Sequence, residues 1–327
     1  MGYDQRTTCH LPKDYVVKIG ITGASGFLGS YLLNYLVRLE KYELYALSRS
    51  ISPEKTKIFE SVVWIEGDLN SNQVCANFVK KLDLIIHLAH TNTPLTSNRD
   101  ICGDTLLNLV PTLNLLQAIR DYGASPHVIY ASSGGAIYKP TTNYQSFKES
   151  DPCEPSSSYG IQKLTVENYL RLSAEQNWLT ATCLRIGNPY GVLLPSERMQ
   201  GLIGVALNQI LHRQPIKIYG DPNNIRDYIH LEDMCRMFEL VIHKHSSFEV
   251  YNVGSGKGYS VNQILDLMEK IIGISMIKEV CQTSQTTNQL PSWIVLDIKK
   301  AYANLSWEPL IELEQGLETL CNQIWNQ

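Results

Sequence analysis

The sequence predicts an α/β fold in which a doubly wound parallel sheet is followed by a smaller C-terminal α/β domain. Short, continuously apolar runs recur through the first half of the chain, as expected of parallel strands buried on both faces. Segments of helical period separate several of these runs, which indicates parallel strands joined by crossover helices. A turn with three regularly spaced glycines follows the first run and is typical of such sheets.

The strands and helices of the first domain are predicted in order from the N-terminus. Residues 16–22 form the first apolar run and lead into an amphipathic stretch over about 26–40, which predicts a strand, a tight turn and a helix. The later apolar runs lie at 43–48, 62–66, 83–88, 127–132 and 180–186, and the later helical segments at 103–121 and 158–176. Together these elements predict a first domain over residues 15–189.

The spacing of the predicted elements becomes irregular beyond about Pro189, which indicates a second, smaller domain over residues 190–327. Its predicted elements are helices over 200–213, 232–244, 260–272 and 311–325, and short strands near 216–219 and 249–253. Each range covers most of its domain, and single elements are allowed to belong to the other one. Residues 1–14 are predicted to be a leader. No linker separates the domains, so we expect them to pack together and close a cleft.

Composition and charge exclude several classes of protein. The 327 residues are 44% hydrophobic and 18% charged, which is typical of a globular chain. A formal net charge of -4 without a basic block argues against nucleic acid as a partner. No run approaches the roughly 20 apolar residues of a membrane helix, and the N-terminus lacks the apolar core of a signal peptide, so we predict a cytoplasmic protein without a membrane partner. The 8 cysteines are scattered without metal-ligand spacing, which predicts reduced thiols and no metal site.

The glycine turn is the strongest motif of the first domain. Its three glycines follow the first strand and open the first helix, which lets a pyrophosphate approach the main chain at a helix N-terminus. We therefore predict a Rossmann-type dinucleotide site. The alternative is a turn that needs glycines for its backbone conformation and binds no ligand. The predicted cofactor contacts in this turn are Gly23, Ser25, Gly26, Phe27, Leu28 and Gly29.

The end of the second strand selects between NAD and NADP. An acidic residue there accepts a hydrogen bond from the adenosine 2'-hydroxyl, whereas this chain has Ser48 followed by Arg49, a cation suited to a 2'-phosphate. We therefore favour NADP(H), with NAD(H) as the alternative in which Arg49 is a solvated surface charge. After the third strand, Asp68 and Leu69 are predicted to lie beside the adenine, and the alternative role of Asp68 is the N-cap of the next helix.

Tyr159 and Lys163 are the candidate catalytic pair. Their spacing of four residues in a helical segment puts both side chains on one face of the helix. A phenol has a pKa of about 10, so it exchanges protons near neutrality only where positive charge, such as that of Lys163, stabilises the phenolate. Tyr144 and Lys148 share the spacing but lie in a polar stretch, so we favour the Tyr159 pair.

The sequence resembles the extended short-chain dehydrogenase/reductase family, and within it the NAD(P)-dependent nucleotide-sugar epimerases, dehydratases and reductases. The resemblance covers nearly the whole chain, and its segments occur in the family order. They are 22–29 (TGASGFLG), 67–69 (GDL), 87–89 (HLA), 132–138 (SSGGAIY), 159–163 (YGIQK), 184–191 (LRIGNPYG) and 226–230 (RDYIH). The resemblance implies a Rossmann domain that binds NAD(P), a C-terminal domain that binds a nucleoside diphosphate sugar, and a homodimer formed through two helices of each subunit.

The resemblance also implies roles in catalysis and cofactor binding. Tyr159 would be the general acid/base, and Lys163 would hold the nicotinamide ribose and lower the pKa of the tyrosine. Leu88 and Ala89 would pass under the cofactor, and Ile186 would contact it at the end of the sixth strand.

For the substrate, the resemblance implies that Asn188 lies near the sugar diphosphate and that Arg226 clamps it with a planar guanidinium. The alternative for Arg226 is a surface ion pair with Asp227. His90 replaces a small residue that often follows the Leu-Ala pair, so we expect it to face the cleft near the nicotinamide and to contact the substrate or act as an acid. The alternative is a packing or loop-capping histidine.

Two departures from the family pattern fall at the predicted site. The catalytic Ser or Thr usually lies four residues before the tyrosine that corresponds to Tyr138, and that position is Gly134. We assign the missing hydroxyl to Ser133, with Ser132 as the other candidate, and expect Ser133 and Gly134 to line the substrate site. A second diphosphate-binding arginine of many relatives is replaced within residues 286–288 (TTN).

Three functions remain open from these expectations. The favoured one is NADPH-dependent reduction of a 4-keto-6-deoxy sugar nucleotide, with Tyr159 as the proton donor, because the second strand ends without an acidic residue. The second is a UDP-hexose 4-epimerase with tightly bound NAD, which the segment 226–230 resembles. The third is a non-catalytic dinucleotide- or sugar-nucleotide-binding protein, supported only by the hydroxyl missing at Gly134. A 4,6-dehydratase is disfavoured because residues 135–136 lack the Asp-Glu pair of that branch.

Overall fold

The computed structural model describes residues 15–94, 96–122, 125–140, 144–193, 201–244, 246–281 and 292–325, so the predicted leader lies outside the described residues. Its strands are β1 (Lys18–Thr22), β2 (Glu43–Ser48), β3 (Val62–Glu66), β4 (Leu84–His87), β5 (His127–Ser133), β6 (Thr180–Ile186), β7 (Asn188–Tyr190), β8 (Ile216–Tyr219), β9 (Ile225–His230), β10 (Phe248–Val253), β11 (Gly258–Ser260), β12 (Lys278–Cys281) and β13 (Trp293–Ile294). Its α-helices are α1 (Phe27–Leu39), α2 (Pro53–Ile58), α3 (Asn72–Val79), α4 (Ile101–Asp104), α5 (Val110–Tyr122), α6 (Ser158–Glu175), α7 (Leu202–Leu211), α8 (Leu231–Ile242), α9 (Val261–Ile272), α10 (Lys299–Leu305) and α11 (Leu313–Trp325).

Seven strands form one parallel sheet in the order β3-β2-β1-β4-β5-β6-β10, which confirms the predicted doubly wound α/β class. Side chains of its middle strands, such as Ile19, Ile86 and Ile129, are fully buried, as the continuous apolar runs require. The strand order reverses between β1 and β4. Ligands of such sheets bind beyond the carboxyl ends of the strands at the reversal, which here lies past Thr22 and His87.

Several helices begin at a serine whose side-chain oxygen accepts a hydrogen bond from the main-chain N–H of the residue three positions later. Ser52, Ser71, Ser157 and Ser260 cap α2, α3, α6 and α9 in this way. At α9 the side chain of the third helical residue, Gln263, also accepts from the Ser260 N–H and completes a capping box. None of the helices in the described part of the chain is long and apolar enough to cross a membrane.

The helix predicted over 103–121 is not continuous. α4 ends at Asp104, a π-helical turn follows over Thr105–Leu109, and α5 begins at Val110. Pro111 has no N–H to donate to the preceding turn, which explains why regular α-helical bonding fails at this point. The irregular turn lies beside α6, so its polar side chains reach the candidate site described below.

The boundary predicted at residue 189 is only partly right, because the chain returns to the first domain. β10 pairs with β6 in parallel and forms the seventh strand of the central sheet. α8 packs on α1, where Tyr31 and Tyr35 donate hydrogen bonds to Glu232 and Glu239. An apolar run does not reveal which sheet it will join, so the sequence pattern assigned residues 249–253 to the wrong domain.

The smaller domain is organised around β9. β7 and β13 pair with β9 in parallel and β11 pairs with it antiparallel, while β8 and β12 form a separate parallel pair. α7, α9 and α11 pack against these strands around a core that includes Ile203, Leu207, Ile264, Met268 and Leu317. Because β7 follows β6 directly, the edge of this domain lies at the carboxyl end of the central sheet.

Candidate functional site

The glycine turn after β1 leaves a helix end open to an anion. Gly26 is the N-cap of α1 without a side-chain cap, and the first turn of α1, formed by residues 27–29, carries no acidic residue. The N–H groups of this turn are therefore available to a negatively charged ligand. Gly23 has a φ of 69°, and a Cβ there would lie 2.8 Å from the Ala89 nitrogen, so the turn requires glycine. These features fit the pyrophosphate of a dinucleotide.

The end of β2 carries a serine where an acidic residue would select NAD. Ser48 is buried, and its hydroxyl lies 2.9 Å from Ser25 Oγ and 2.7 Å from the Ser50 carbonyl oxygen. The end of β2 thereby contacts Ser25, a predicted cofactor contact within the glycine turn. The position is polar and uncharged, so it does not repel a phosphate.

Two cations flank this serine, and the sequence analysis identified only one of them. Arg49 is exposed. Lys55 bends back from α2 and its Nζ donates to the Ser25 carbonyl oxygen at 3.3 Å. The Ser52-Pro53 pair signals a helix start and so places Lys55 in the first turn of α2, but no sequence signal shows that this turn approaches Ser25.

The segment after β3 contains the predicted adenine contacts Asp68 and Leu69. The Asp68 carboxylate accepts from the Asn70 N–H at 2.8 Å, and the N-cap of α3 is Ser71. The alternative role of Asp68 as that N-cap is therefore wrong. Leu69 is buried in the core beneath the sheet end.

The predicted cofactor contacts after β4 and at the end of β6 lie at the carboxyl edge of the central sheet. Leu88 and Ala89 are half-buried, and the Ala89 N–H points at Thr22 Oγ1 at 3.4 Å. Ile186, the last residue of β6, is buried. Behind them His87 is held at both ring nitrogens by threonine hydroxyls, at 2.7 Å from Thr22 and 2.9 Å from Thr112, so it has a structural role.

Tyr159 and Lys163 lie in the first two turns of α6, as predicted. The Tyr159 N–H donates to Ser97 Oγ at 3.1 Å, which ties the start of α6 to the segment after β4. Lys163 is buried, and its Nζ donates to the Ala131 carbonyl oxygen at 2.7 Å and lies 5.5 Å from the centre of the Tyr159 ring. The competing Tyr144 lies outside any helix and is 63% exposed.

Burial sets the protonation states of this pair in the protein alone. Burial raises the pKa of Tyr159 to about 12, and a hydrogen bond with Ser133 opposes the rise. Burial lowers the pKa of Lys163 to about 7, against the attraction of Glu167. In the protein alone desolvation dominates at both groups, and the lowering of the tyrosine pKa by Lys163 together with a bound nicotinamide stays a prediction. Near neutrality Tyr159 is a protonated phenol.

The position aligned with the family hydroxyl has no room for a side chain. A Cβ on Gly134 would lie 2.6 Å from a Leu296 methyl and 3.1 Å from the Arg185 carbonyl oxygen, and the Gly134 N–H already donates to the Ile186 oxygen at 2.8 Å. Gly134 therefore offers neither a side chain nor a free N–H to a substrate, and its place in the lining of the substrate site stays a prediction. Ser132, the second candidate, donates to the buried Glu167. Ser133 is the serine whose side chain bonds Tyr159.

The other predicted substrate residues lie on the smaller domain and on the segment after β4. Arg226 is half-buried, donates to the Ile225 oxygen at 2.7 Å, and its pKa is lowered by burial without any carboxylate of the described chain acting on it. Asp227 faces the opposite way and accepts from the Ser255 N–H, so the alternative Arg226–Asp227 pair is wrong. The Asn188 amide donates to the Asp227 carbonyl oxygen at 3.0 Å.

His90 lies edge-on against Tyr159, with ring centres 4.8 Å apart. The segment 286–288, which replaces the second family arginine, is outside the described residues. No group of three or more His, Cys, Asp or Glu side chains among the described residues could hold a metal ion. The site thus brings together the glycine turn, Ser133, Tyr159, Lys163 and His90.

The burial of Lys163 predicts that stability depends on pH. Its pKa is about 7 in the folded protein and near the ordinary 10.5 in the unfolded chain, so above pH 7 the unfolded state binds more protons. The free energy of unfolding of the wild type should therefore rise, relative to Lys163→Met, by about 2 kcal/mol between about pH 6.5 and about pH 8.5. Urea unfolding of both proteins measures this difference. A difference that stays constant with pH would mean that Lys163 keeps its proton in the folded state.

Comparison with known proteins shows which family this chain is similar to. The family model described as NAD dependent epimerase/dehydratase family matches residues 19–254. The dTDP-4-dehydro-6-deoxyglucose reductase of Escherichia coli is 30% identical over 311 residues, which cover 93% of this chain and 96% of the relative.

Solved structures are similar along almost the full chain. The UDP-glucose 4-epimerase of Thermotoga maritima with UDP-glucose has a TM-score of 0.84 at 26% identity, covering 95% of this chain and 99% of the other. MoeE5 in complex with UDP-glucose and NAD has a TM-score of 0.83 at 25% identity, covering 94% and 99%. The similarity includes both the central sheet and the smaller domain.

Proposed function

The chain belongs to the NAD-dependent epimerase/dehydratase family, and from this premise we propose that it is an NADPH-dependent reductase of a nucleoside diphosphate-linked 4-keto-6-deoxy sugar. The observation that carries the proposal is the end of β2. Ser48 is uncharged there and bonds Ser25, Lys55 Nζ lies 3.3 Å from the Ser25 carbonyl oxygen, and the exposed Arg49 follows Ser48 in the chain. A 2'-phosphate would be attracted to this position, whereas the acidic residue that favours NAD is missing.

The protonation state of Tyr159 supports the reductive direction. A reduction needs a proton for the keto oxygen, and a phenol with a pKa near 12 is protonated at neutral pH. An epimerase must first remove a proton from a sugar hydroxyl, which requires a phenolate or a neighbouring base. In the protein alone, the phenol of this site is therefore available as a proton donor.

The arrangement of side chains gives each a role in that reaction. NADPH, when bound to the glycine turn and the crevice floor, supplies the hydride. Arg226, half-buried and without a carboxylate partner among the described residues, would neutralise the diphosphate of the substrate. Tyr159 donates its proton to the carbonyl oxygen, and Ser133 donates a second hydrogen bond to the same oxygen. Lys163 lies close enough to stabilise the phenolate that remains.

A UDP-hexose 4-epimerase is the second candidate. The observation in its favour is the structural similarity to the epimerase solved with UDP-glucose. The same Tyr159 and Ser133 would serve, but NAD would have to remain bound through the cycle. A binding protein without turnover is the weakest candidate, since Ser133 supplies the hydroxyl whose absence at Gly134 was its only support.

The deciding experiment identifies the nucleotide and the reaction together. The purified protein is denatured, any released nucleotide is identified by absorbance and mass, and the emptied protein is titrated with NADPH and NADH. Turnover is then followed as oxidation of NADPH with dTDP-4-keto-6-deoxyglucose and its UDP counterpart. Consumption of NADPH with either sugar supports the reductase, whereas stoichiometric retained NAD and interconversion of UDP-glucose and UDP-galactose would replace it with the epimerase.

Cofactor preference can be tested on the two cations. Arg49→Ala and Lys55→Ala should each raise the dissociation constant for NADPH by about 10-fold, because each removes a charged hydrogen bond, while that for NADH stays unchanged. Lys57→Ala, an exposed lysine on the same helix, is the matched control and should bind both nucleotides normally. An equal loss of affinity for NADPH and NADH would show that these cations do not bind the 2'-phosphate.

A homodimer fits the exposed apolar surface of the helices beside the site. Ile101, Leu106 and Leu107 on α4 and the π-helical turn, and Ile161 and Leu172 on α6, are all more than two-fifths exposed. Such a patch on two adjacent helices is typical of a subunit interface. We expect a dimer by light scattering, and a monomer after Leu107→Glu combined with Ile161→Glu. A wild-type monomer would contradict the assignment.

A further inference from the structure

Asp104 is a buried carboxylate at which hydrogen bonds from separate parts of the chain meet. It is the last residue of α4 and is 1% exposed. One of its oxygens accepts from the amides of Asn92, at 2.6 Å, and Asn108, at 2.9 Å. The other oxygen accepts from Ser158 Oγ and Gln162 Nε2, both at 2.6 Å. Asp104 therefore joins the segment after β4, the π-helical turn and the start of α6.

The bonds from α6 fix the direction in which the first turns of that helix point their side chains. Ser158 and Gln162 are four residues apart, so they lie on one face of α6, and Asp104 holds both. Tyr159 and Lys163 each come one residue later, and successive residues of an α-helix are about 100° apart around its axis. The face that carries the proton donor therefore adjoins the face that Asp104 holds. A turn of α6 away from Asp104 would move the Tyr159 hydroxyl with it.

The remaining bonds connect Asp104 to the segment that is predicted to pass under the cofactor, residues 88–89. Asn92 follows this segment and donates directly to Asp104. The N–H of Thr91 and its hydroxyl donate to the Asn108 side-chain oxygen at 2.7 Å and 2.9 Å, and the Asn108 amide donates to Asp104 in turn. The segment after β4 is thus fastened to the same carboxylate as α6, both directly and through Asn108.

We propose that Asp104 is a positioning residue that sets the place of the Tyr159 hydroxyl relative to the cofactor segment. Its effect on turnover rests on the proposed function. A reduction delivers a hydride to the carbon of a carbonyl and a proton to its oxygen, so the hydride source and the proton donor must be held in one geometry. Asp104 contributes no group to the reaction and acts through α6 alone.

The donors around Asp104 indicate which substitution should preserve the junction. All four are neutral side chains, so the bonds depend on the placement of the acceptor oxygens and not on a counter-charge. Gln162 Oε1 is buried and has no hydrogen-bond partner among the described residues. Asp104→Asn would keep one oxygen for Asn92 and Asn108, and its amide can donate to Gln162 once that side chain turns over. Asp104→Ala removes every one of these bonds.

The position of Tyr159 can be followed without substrate or cofactor. The full chain is labelled with fluorotyrosine, and the fluorine NMR signal of Tyr159 is identified as the one missing from Tyr159→Phe. Asp104→Ala should shift or broaden this signal, because α6 is no longer held on the adjoining face. Asp104→Asn should return the signal to its wild-type position. This rescue would not be expected if the carboxylate mattered only for its charge.

Two serines of α6 provide a matched comparison, which also serves if Asp104→Ala does not fold. Ser158 and Ser173 are both buried, at 7% and 2% exposed, but Ser173 lies near the other end of the helix and donates to the Tyr169 carbonyl oxygen at 2.8 Å. Ser158→Ala removes one of the bonds to Asp104 and should move the Tyr159 signal. Ser173→Ala makes the same chemical change in the same helix and should leave that signal in place.

Turnover gives a second readout. Asp104→Ala should lower kcat for reduction of the keto sugar by about 10- to 100-fold, because a displacement of about 1 Å at a reacting group has an effect of this size. The dissociation constant for NADPH should change little, since the glycine turn and the end of β2 are untouched. Asp104→Asn should recover most of the lost kcat.

The outcomes separate this inference from the proposed function. A Tyr159 signal that stays in place in both Asp104→Ala and Ser158→Ala, or that moves equally in Ser173→Ala, would overturn the inference. So would a wild-type kcat in Asp104→Ala, which would leave the reductase intact. If the signal moves as expected but the wild type oxidises NADPH with no keto sugar, the reductase fails and the positioning of Tyr159 by Asp104 stands.

Discussion

Tyr159→Phe is expected to lower kcat for reduction of the keto sugar by about 10²–10⁴-fold, because no other group at the keto oxygen is a comparable acid. Phenylalanine keeps the ring that packs edge-on against His90 and lies near Lys163. The dissociation constant for NADPH and the KM for the sugar should therefore change little. Stopped-flow oxidation of NADPH under single-turnover conditions measures the chemical step directly.

The chain supplies its own control for this substitution. Tyr144 has the same spacing to a lysine as Tyr159, but it is exposed, outside any helix and packed against Trp293. Tyr144→Phe should leave kcat within about 2-fold, as expected of a surface change. Full turnover in Tyr159→Phe would contradict the assignment and would shift the role of proton donor to Ser133 or to a water held by it.

Local sequence patterns predicted the central sheet and the catalytic helix because those features depend on nearby residues. Continuous apolar runs follow from burial on both faces, and the run at 180–186 matches β6 without error. α6 was predicted over 158–176 and spans Ser158–Glu175, because Ser157 provides a side-chain cap. The glycine turn combines a positive φ with an uncapped helix, and both follow from the residues of the turn itself.

Local sequence patterns did not predict the features that depend on distant parts of the chain. The seventh strand joins the central sheet after an excursion of about 60 residues, and nothing within β10 specifies that partner. Lys55 and Asp104 act on the site only because the fold brings them to Ser25 and Ser158. The pKa values of Tyr159 and Lys163 move in the directions that burial dictates, and burial is a property of the assembled fold.

Gly134 shows how a departure from a family pattern can be read too literally. Counting back from Tyr138 gives a missing hydroxyl, which was the only support for a protein without turnover. In the structure, Leu296 and the carbonyl oxygen of Arg185 occupy the space that a side chain at 134 would need, and the side chain of the preceding Ser133 bonds Tyr159. Leu296 lies more than 160 residues away in the sequence, so the reason for the glycine was not accessible from the motif.

The buried ion pair behind the catalytic helix gives the largest expected effect on stability. Glu167 on α6 accepts from Arg185 Nη2 at 2.8 Å and from Arg185 Nε at 3.2 Å, and also from the Ser132 hydroxyl. The side chains of both charged residues are less than a tenth exposed. Glu167→Gln preserves the volume but leaves the arginine charge buried without a counter-charge, which should cost about 3–5 kcal/mol in the free energy of unfolding.

A second ion pair on the same helix isolates the role of burial. Glu175 pairs with Arg171 at 3.1 Å, with both side chains more than half exposed. Glu175→Gln makes the same chemical change in water and should cost no more than about 0.5 kcal/mol. Urea unfolding of the wild type and the two variants gives the comparison. Equal losses of unfolding free energy would show that the Glu167–Arg185 pair contributes no more than a surface pair. A large loss for Glu167→Gln alone would establish that the fold beneath the site depends on this buried pair. The same carboxylate also raises the pKa of Lys163, one helical turn away, so the pair acts on the site itself.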